Sequence, residues 1–240
     1  NIITKETPEK ATLEAGAQQG WYDVRTKSDK GLHIGKSSQG YFSYGNSFGD
    51  RLGSLLHFSH EESEGVDNEK KDQKRNYGLG KIHADLSKYL NVSLKGEASK
   101  YEEHPETGRE KKDEDSYRIS GQVNITPNKD NRIILSGYTY NWDFVSGYPG
   151  YPYGYKHGDI GYNKGELQYT AHLSNWNTLT LGGEFRQQDI DYLVENPNGS
   201  IIPVEEDVDN IALYLQDEIA FLQDLTLVPG VRYDDHSDFG

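Results

Sequence analysis

Cysteine and long apolar runs are both absent from this sequence of 240 residues. Without cysteine there is no disulfide framework, no zinc–thiolate site and no cysteine nucleophile. No stretch reaches the ~18 consecutive apolar residues that mark a transmembrane helix. A membrane is not excluded by this, because a transmembrane β-strand needs only about 9–11 residues with apolar side chains at alternate positions.

Apolar residues are also scarce overall. They make up 33% of the chain, and the mean hydropathy of -0.87 approaches that of disordered proteins. The 18 tyrosines, 7 phenylalanines and 3 tryptophans argue against disorder, since disordered chains contain few aromatic residues. We therefore expect a fold with extensive polar surface on both sides of thin, half-buried elements.

The net charge of -14 disfavours nucleic acid as a partner, because phosphates are neutralised by Lys and Arg. The negative charge is concentrated between Arg186 and Arg232, where no base and ten acids occur. This acidic segment could attract cations, or contact lipopolysaccharide through them. We favour a solvated segment that keeps the protein soluble during assembly.

Alternation of apolar and polar residues recurs along the chain. In 178-TLTLGGEFRQ-187, Leu179, Leu181 and Phe185 fall on one face, and Glu184 and Arg186 fall on the other. This period of two residues is typical of β-strands. It predicts about eleven strands, many of them longer than the ~5–6 residues usual in soluble sheets. Their approximate bounds are 11–25, 38–46, 51–62, 76–87, 91–103, 115–126, 131–145, 161–173, 177–190, 208–220 and 224–236.

The predicted connections alternate between short turns and long polar segments such as 63–75, 104–114, 146–160 and 191–207. One edge of the sheet therefore carries the tight turns and the other carries the long loops. This asymmetry is typical of a transmembrane β-barrel with short periplasmic turns and long extracellular loops. Charges deep within strands, among them Glu184, indicate a face that borders a wet lumen.

Three stretches resemble parts of one family. The opening 1-NIITKETPEK-10 resembles the last strand of the plug domain in TonB-dependent outer-membrane receptors. The stretch 212-ALYLQDEIAFLQDLTLVPGVRYDDHSDFG-240 is similar to a mid-barrel hairpin of that family, and 41-YFSYGNSFGDRLGSLLHFSHEESEG-65 to an early one. The specificity of the resemblance lies in the order and spacing of these stretches.

The resemblance implies a barrel of about 22 antiparallel strands whose lumen holds a plug. It assigns residues 1–10 to the last plug strand and linker, and residues 11–240 to the N-terminal half of the barrel. The chain is thus expected to be a fragment of a receptor in a Gram-negative-type outer membrane. The implied function is capture and energy-coupled import of a ferric siderophore, haem or cobalamin. The implied partners are outer-membrane lipid, lipopolysaccharide, a small chelate, and the coupling protein TonB acting through the plug.

Two other classes of protein remain as alternatives. A passive, porin-like outer-membrane channel would share the strands and loops but would lack a plug. A soluble, secreted β-sandwich that binds a ligand would share the alternation. Sandwich strands are shorter, however, and their long connections do not segregate to one end.

Enzymatic motifs are missing from the sequence. It contains no Gly-x-Ser-x-Gly elbow, no phosphate-binding loop with Lys-Ser/Thr, and no His-Glu-x-x-His. Acidic pairs such as Glu61–Glu62 are expected by chance in a chain with 39 acids. We therefore predict that the protein is not an enzyme and holds no cofactor of its own.

A weak candidate metal site lies in 234-DDHSDFG-240, where Asp234, His236 and Asp238 fall on one side of an extended chain. Carboxylates with one imidazole can hold a divalent cation. No complete calcium-loop pattern is present, so a segment without metal is favoured.

The candidate ligand-binding residues lie in 146-SGYPGYPYGYKHGDIGY-162, which contains five tyrosines, five glycines and two prolines. Phenol rings supply amphipathic contact area at low rotamer cost. Together with two basic side chains they suit a flat aromatic or chelate ligand. The alternative is a compact loop that packs on itself and shields the barrel mouth. The candidates are Tyr148, Tyr151, Tyr153, Tyr155, Lys156 and His157.

Other aromatic residues fall near predicted strand ends. In a barrel, this position is typical of the two aromatic girdles at the membrane interfaces. We assign to these girdles Tyr41, Phe42, Tyr44, Tyr89, Trp142, Phe144, Trp176, Phe221 and Tyr233.

Overall fold

A computed structural model of the chain describes residues 10–24, 33–64, 71–105, 111–147, 156–195, 200–222 and 225–237. These residues form one antiparallel sheet of 12 strands. The strands are β1 (Thr12–Val24), β2 (His33–Phe48), β3 (Leu52–Glu64), β4 (Lys71–Ser87), β5 (Leu90–Pro105), β6 (Lys111–Asn128), β7 (Asn131–Gly147), β8 (Lys156–Ser174), β9 (Asn177–Glu195), β10 (Ile201–Leu222), β11 (Leu225–Leu227) and β12 (Gly230–His236).

The strands pair in the order of the sequence. Each strand from β1 to β9 pairs with the next, and β10 pairs with both β11 and β12. The predicted eleventh strand is thus interrupted after Leu227 and resumes at Gly230. The all-β, antiparallel prediction is confirmed, and the arrangement is one continuous sheet rather than the two packed sheets of a sandwich.

The connections also alternate as predicted. Three or fewer residues separate β2 from β3, β4 from β5, β6 from β7, β8 from β9, and β10 from β11. Gly49, in the first of these turns, has a φ of 67°, a conformation that favours glycine because it has no Cβ. Five to eight residues separate the other consecutive pairs from β1 to β10.

The strands are longer at the loop edge than the sequence predicted. β9 continues to Glu195 and β10 begins at Ile201, so most of the predicted loop 191–207 is strand. Likewise β8 begins at Lys156, inside the predicted loop 146–160. Polar, extended residues without a buried face resemble loops in sequence, whereas pairing with the neighbouring strand makes them part of the sheet.

The two faces of the sheet differ in polarity. The exposed face is apolar, whereas in a soluble protein the exposed face of a sheet is polar. One face, here called the lipid face, carries exposed apolar side chains at alternate positions, such as Leu135 and Leu213, which are 53% and 59% exposed. The other, the lumen face, carries Lys164 and Glu184, and Glu184 is only 6% exposed. This distribution is what a barrel in lipid requires.

Few side chains are buried, because the sheet has no second layer. Leu55, Leu79 and Ala212 are buried on the lumen face. None of the described residues belongs to a helix long and apolar enough to cross a membrane.

Candidate functional site

The lumen face of β7 carries four aromatic side chains at consecutive inward positions: Tyr138, Tyr140, Trp142 and Phe144. We call this set the aromatic ladder. The rings of Trp142 and Phe144 stack, with centroids 4.8 Å apart and planes at 29°. Tyr138 stacks at 5.4 Å on Tyr162, its diagonal neighbour on β8. Offset stacking of this kind stabilises the rings while leaving one side open.

Arg118 on β6 lies over the lower half of the ladder. Its guanidinium carbon is 5.3 Å from the Tyr138 ring centroid and 5.2 Å from that of Tyr140. Arg118 is also the register partner of Glu97 on β5, whose charge attracts it. Its positive charge is in addition held against two aromatic faces, an arrangement favoured by the ring quadrupoles.

A glycine on β8 makes room for the upper half of the ladder. A Cβ at Gly158 would lie 2.9 Å from Phe144 Cε1 and would also collide with Tyr192 of β9. The absence of that atom lets the Phe144 ring and the Tyr192 side chain pack against β8 from its two sides. Together with Ile160 and Ile190, which fall in the row of Trp142, they form an apolar patch on the inner wall near the loop edge.

A network of ion pairs centred on Glu184 lies lower on the lumen face. The Glu184 carboxylate is 2.6 Å from Lys164 Nζ, 2.5 Å from Arg186 Nε and 3.3 Å from an Arg232 nitrogen. Arg232 in turn contacts Asp234 at 2.9 Å. Ala212, fully buried on β10, leaves space for the Arg232 side chain to cross that strand. The network thus joins β8, β9 and β12.

A shallow groove lies between the Glu184 network and a second polar cluster. In that cluster, Glu97 accepts a hydrogen bond of 2.7 Å from Tyr77 and pairs with Lys95 at 2.9 Å. The groove is lined by basic and hydroxyl-bearing side chains and by the foot of the ladder. Its polar lining comprises Lys81, Ser93, Lys95, Ser120, Gln122, Ser136, Tyr138, Lys164 and Glu166.

Carboxylates form a row on the opposite, outward-facing side of the sheet. Asp115, Asp143, Asp159, Asp191 and Glu205 are successive partners in register across β6 to β10. They lie toward the loop edge of the lipid face, where Leu193 also points outward. We call them the acidic row. The acidic segment of the sequence therefore contributes strand residues here, where a loop was predicted.

Repulsion between these carboxylates changes their proton affinity. The hydrogen bond to Asp159 raises the pKa of the Asp143 carboxyl above its usual range, and desolvation and the charge of Asp159 act in the same direction. Desolvation, followed by the charges of Asp207 and Asp209, raises the pKa of Asp189. Lys100 of β5 faces Asp115 at one end of the row, whereas Asp143, Asp159, Asp191 and Glu205 have no described Lys or Arg as a register partner.

Of the candidate ligand-binding residues, Lys156 and His157 are the first two residues of β8 and are exposed. They point to opposite faces of the sheet, because they are adjacent in a strand. The tyrosines Tyr148, Tyr151, Tyr153 and Tyr155 lie outside the described residues.

The weak metal candidate is divided in the same way. Asp234 and His236 share the lumen face of β12, whereas Asp238 lies outside the described residues. The Asp234 carboxylate accepts hydrogen bonds from Arg232 at 2.9 and 3.0 Å. No group of three or more potential metal ligands occurs in the part of the chain that the structure describes.

Three residues assigned to the aromatic girdle occupy a different face. Trp142 and Phe144 lie on the lumen face, in register with Ile160 and Gly158 of β8, and therefore do not face lipid. Tyr41 also faces the lumen, where it stacks at 6.3 Å on His57. The physical reason is the parity of the strand, since adjacent residues alternate between faces. The alternating pattern Tyr-x-Tyr-x-Trp-x-Phe in β7 was the signal from which the ladder could have been predicted.

Comparison with solved structures reveals the same architecture. The siderophore receptor PirA from Pseudomonas aeruginosa aligns with a TM-score of 0.70 and 18% identity, over 99% of this chain and 39% of that one. FauA, the alcaligin outer-membrane receptor of Bordetella pertussis, aligns with a TM-score of 0.78 and 12% identity, over 97% of this chain and 37% of that one. The ferric-catecholate import receptor Fiu of E. coli K12 aligns with a TM-score of 0.77 and 11% identity, over 97% of this chain and 42% of that one.

The chain thus spans about two fifths of the length of these receptors. No curated protein sequence matches it. A family model described as the β-barrel of TonB-dependent receptor-like proteins matches residues 35–240, which is most of the chain. The protein therefore belongs to the family of TonB-dependent receptor β-barrels.

Proposed function

We propose that this chain is part of an outer-membrane receptor that captures a scarce ligand and imports it with energy supplied through TonB. The ligand classes we propose are a ferric siderophore, haem or cobalamin. Membership of the family supports the proposal that the protein is a receptor. The aligned structures include receptors named for siderophores and for alcaligin. The observation that carries the proposal is the aromatic and basic surface on the lumen face, close to the loop edge.

The chemistry of that surface suits ligand capture. Rings such as Trp142 offer stacking area, and Arg118 offers a positive charge beside the rings of Tyr138 and Tyr140. Concave sites that combine apolar contact area with a few placed polar groups are typical of small-molecule binding. We further propose that Tyr148, Tyr151, Tyr153, Tyr155, Lys156 and His157 contribute to the first contact with the ligand. The four tyrosines belong to the connection between β7 and β8, and the two basic residues begin β8 at the same edge.

The domain assignment is part of the same proposal. Residues 1–10 form the last plug strand and linker, and residues 11–240 form the N-terminal half of the barrel. In the complete receptor, the plug occupies the lumen and receives TonB, while the lipid face contacts membrane lipid and the acidic row faces lipopolysaccharide in a Gram-negative-type outer membrane. Apolar side chains such as Leu135 and Leu213 support the contact with lipid.

Growth and uptake test the proposal. A strain lacking the complete gene should lose growth on one iron or cobalamin source, and the complete gene should restore it. Uptake of that nutrient should stop when a protonophore dissipates the proton gradient. Uptake that continues in the presence of the protonophore would instead support the passive channel, and unchanged growth on every source would contradict the receptor.

A further inference from the structure

We infer that the aromatic ladder of β7 is a transit surface, along which a ring-bearing anionic ligand moves from the mouth of the barrel into the lumen. This inference rests on the proposed function and adds a path to it. Capture alone would need contacts only near the loop edge. The ladder extends well below that edge.

The length of the ladder is the first argument. Phe144 lies three residues from the loop end of β7, whereas Tyr138 lies seven residues from its turn end. Their separation of six positions in the sequence corresponds to about 20 Å along the strand. Tyr138 also lines the polar groove of the lumen face, so the ladder connects the mouth with the interior.

The spacing of the rings is the second argument. Consecutive ladder residues are two positions apart, or about 6.8 Å along the strand. A flat conjugated ligand of ordinary size therefore reaches the next ring before it leaves the previous one. Stacking contacts are weak and only loosely directional. Passage through a protein requires several such sites, each weak enough for the ligand to leave.

Charge gives the path a direction. Arg118 lies beside Tyr138 and Tyr140, at the lower end of the ladder, and Lys81 lines the groove in the row of Tyr138. Glu97 is the register partner of Arg118 and offsets part of its charge, whereas the described residues show no ion pair with Lys81. An anion that enters near Phe144 is thus attracted downward by these two cations, Lys81 most strongly because no described carboxylate pairs with it.

Other lumen-face tyrosines differ from the ladder in their bonding. The Tyr77 hydroxyl donates to Glu97 at 2.7 Å, and the Tyr101 hydroxyl donates to Glu103 at 2.6 Å. Tyr101 stands in the same row as Phe144, two strands away, with Glu114 between them. It is therefore an aromatic residue at the same height that lies outside the proposed path, and it serves as the matched control.

The test separates binding from transport in the complete receptor, with two radiolabelled probes. One is the iron(III) complex of 2,3-dihydroxybenzoate, which is anionic and has aromatic rings; the other is iron(III) citrate, which is anionic and has none. The double variant Tyr138→Ala/Tyr140→Ala should lower the maximal uptake rate of the aromatic complex about tenfold, since each lost stacking contact contributes up to ~1.5 kcal/mol. The dissociation constant of that complex should change less than twofold.

Two controls accompany this variant. Thr139→Ala alters the opposite face of the same strand, and Tyr101→Ala removes a ring at the height of the ladder; both should transport at the wild-type rate. Heat-modifiable migration in gels should show that every variant assembles.

Four outcomes would overturn the inference. The first is an unchanged uptake rate of the aromatic complex in the double variant, and the second is an equal loss of that rate in Tyr101→Ala. The third is an equal loss of the uptake rate of iron(III) citrate in the double variant, and the fourth is weaker binding of the aromatic complex without slower transport. An equal loss for both probes would indicate that the ladder packs against the plug. If the wild-type receptor binds and imports neither probe, the iron-chelate form of the proposed function fails, and the inference fails with it.

Discussion

Glu184 and Arg232 form an ion pair across a strand to which neither belongs. The carboxylate is on β9, the guanidinium is on β12, and the 3.3 Å contact passes over Ala212 of β10. Because β12 pairs with β10 alone among the described strands, this contact provides a second attachment for β12. Its position on the lumen face also places it where a plug would lie in the complete barrel.

Replacing Glu184 with Gln should destabilise the complete receptor. The change removes the negative charge that faces Lys164, Arg186 and Arg232, which then repel one another. We expect a loss of about 1–2 kcal/mol, less than for a fully buried pair, because the three cations remain partly exposed. The measurement is the midpoint of urea unfolding in detergent micelles. Glu102→Gln, which breaks the exposed pair with Lys100, should change stability far less, and equal effects would contradict a special role for Glu184.

Gly158→Ala should disturb the upper end of the aromatic ladder. The added Cβ would lie 2.9 Å from Phe144 Cε1 and would collide with Tyr192, so at least one ring must move. We expect a several-fold weaker affinity for the ligand that the receptor captures, measured by binding to the purified complete receptor. Gly165→Ala on the same strand is the control, because a Cβ there meets no atom within 4 Å. Equal affinities of the two variants would show that the placement of these rings is unimportant for binding.

Asp143→Asn should stabilise the protein at neutral pH. The hydrogen bond to Asp159 raises the pKa of Asp143 in the folded state. The charge of Asp115 raises this pKa further, and the charge of His157 lowers it in part. A raised pKa means that the folded state binds the proton more tightly than the unfolded state. The destabilisation is therefore largest above the folded pKa and disappears as the pH falls to about 4, the usual pKa of Asp.

The corresponding measurement is the thermal unfolding midpoint of the complete receptor between pH 4 and pH 8. The variant should exceed the wild type by about 0.5 kcal/mol at pH 7 and converge with it near pH 4, as expected for one pair of like charges facing each other across strands. Asp130→Asn, in the turn at the opposite edge of the sheet, provides the control. A constant difference across this pH range would exclude repulsion within the acidic row as the cause.

Replacing Tyr151, Tyr153 and Tyr155 together with Ala should weaken ligand binding by the complete receptor. Three phenol rings would be lost from the connection between β7 and β8, and each ring contributes stacking area. We expect an affinity at least tenfold lower, with barrel assembly unchanged in heat-modifiable gel migration. An unchanged affinity would favour the alternative, in which the segment packs on itself and shields the barrel mouth.

Much of the fold could be predicted from the sequence, because alternate residues of a strand face different environments and differ in polarity accordingly. Leu179, Leu181 and Phe185 alternate with Glu184 and Arg186, and this pattern alone indicates one apolar and one wet face. The pattern is absent where both faces meet water. Residues 191–195 and 201–207 therefore resembled a loop, although they pair with each other in β9 and β10.

The candidate site was predicted only in part for the same reason. The position of Trp142 and Phe144 near a strand end predicts a place in the girdle, whereas the parity that continues from Leu135 places both on the lumen face. The basic partner of the ladder, Arg118, lies 20 residues before Tyr138 in the chain, and no local pattern joins the two.

The sequence by itself determined the strands, the alternation of tight turns and longer connections, and the concentration of negative charge, since each of these depends on neighbours along the chain. Only the tertiary structure decided which side chains meet. The register of β6 on β7 places Arg118 beside Tyr140, and the register of β9, β10 and β12 brings Arg232 to Glu184, 48 residues away. Register is a property of paired strands, because a shift of one residue would turn every side chain to the other face.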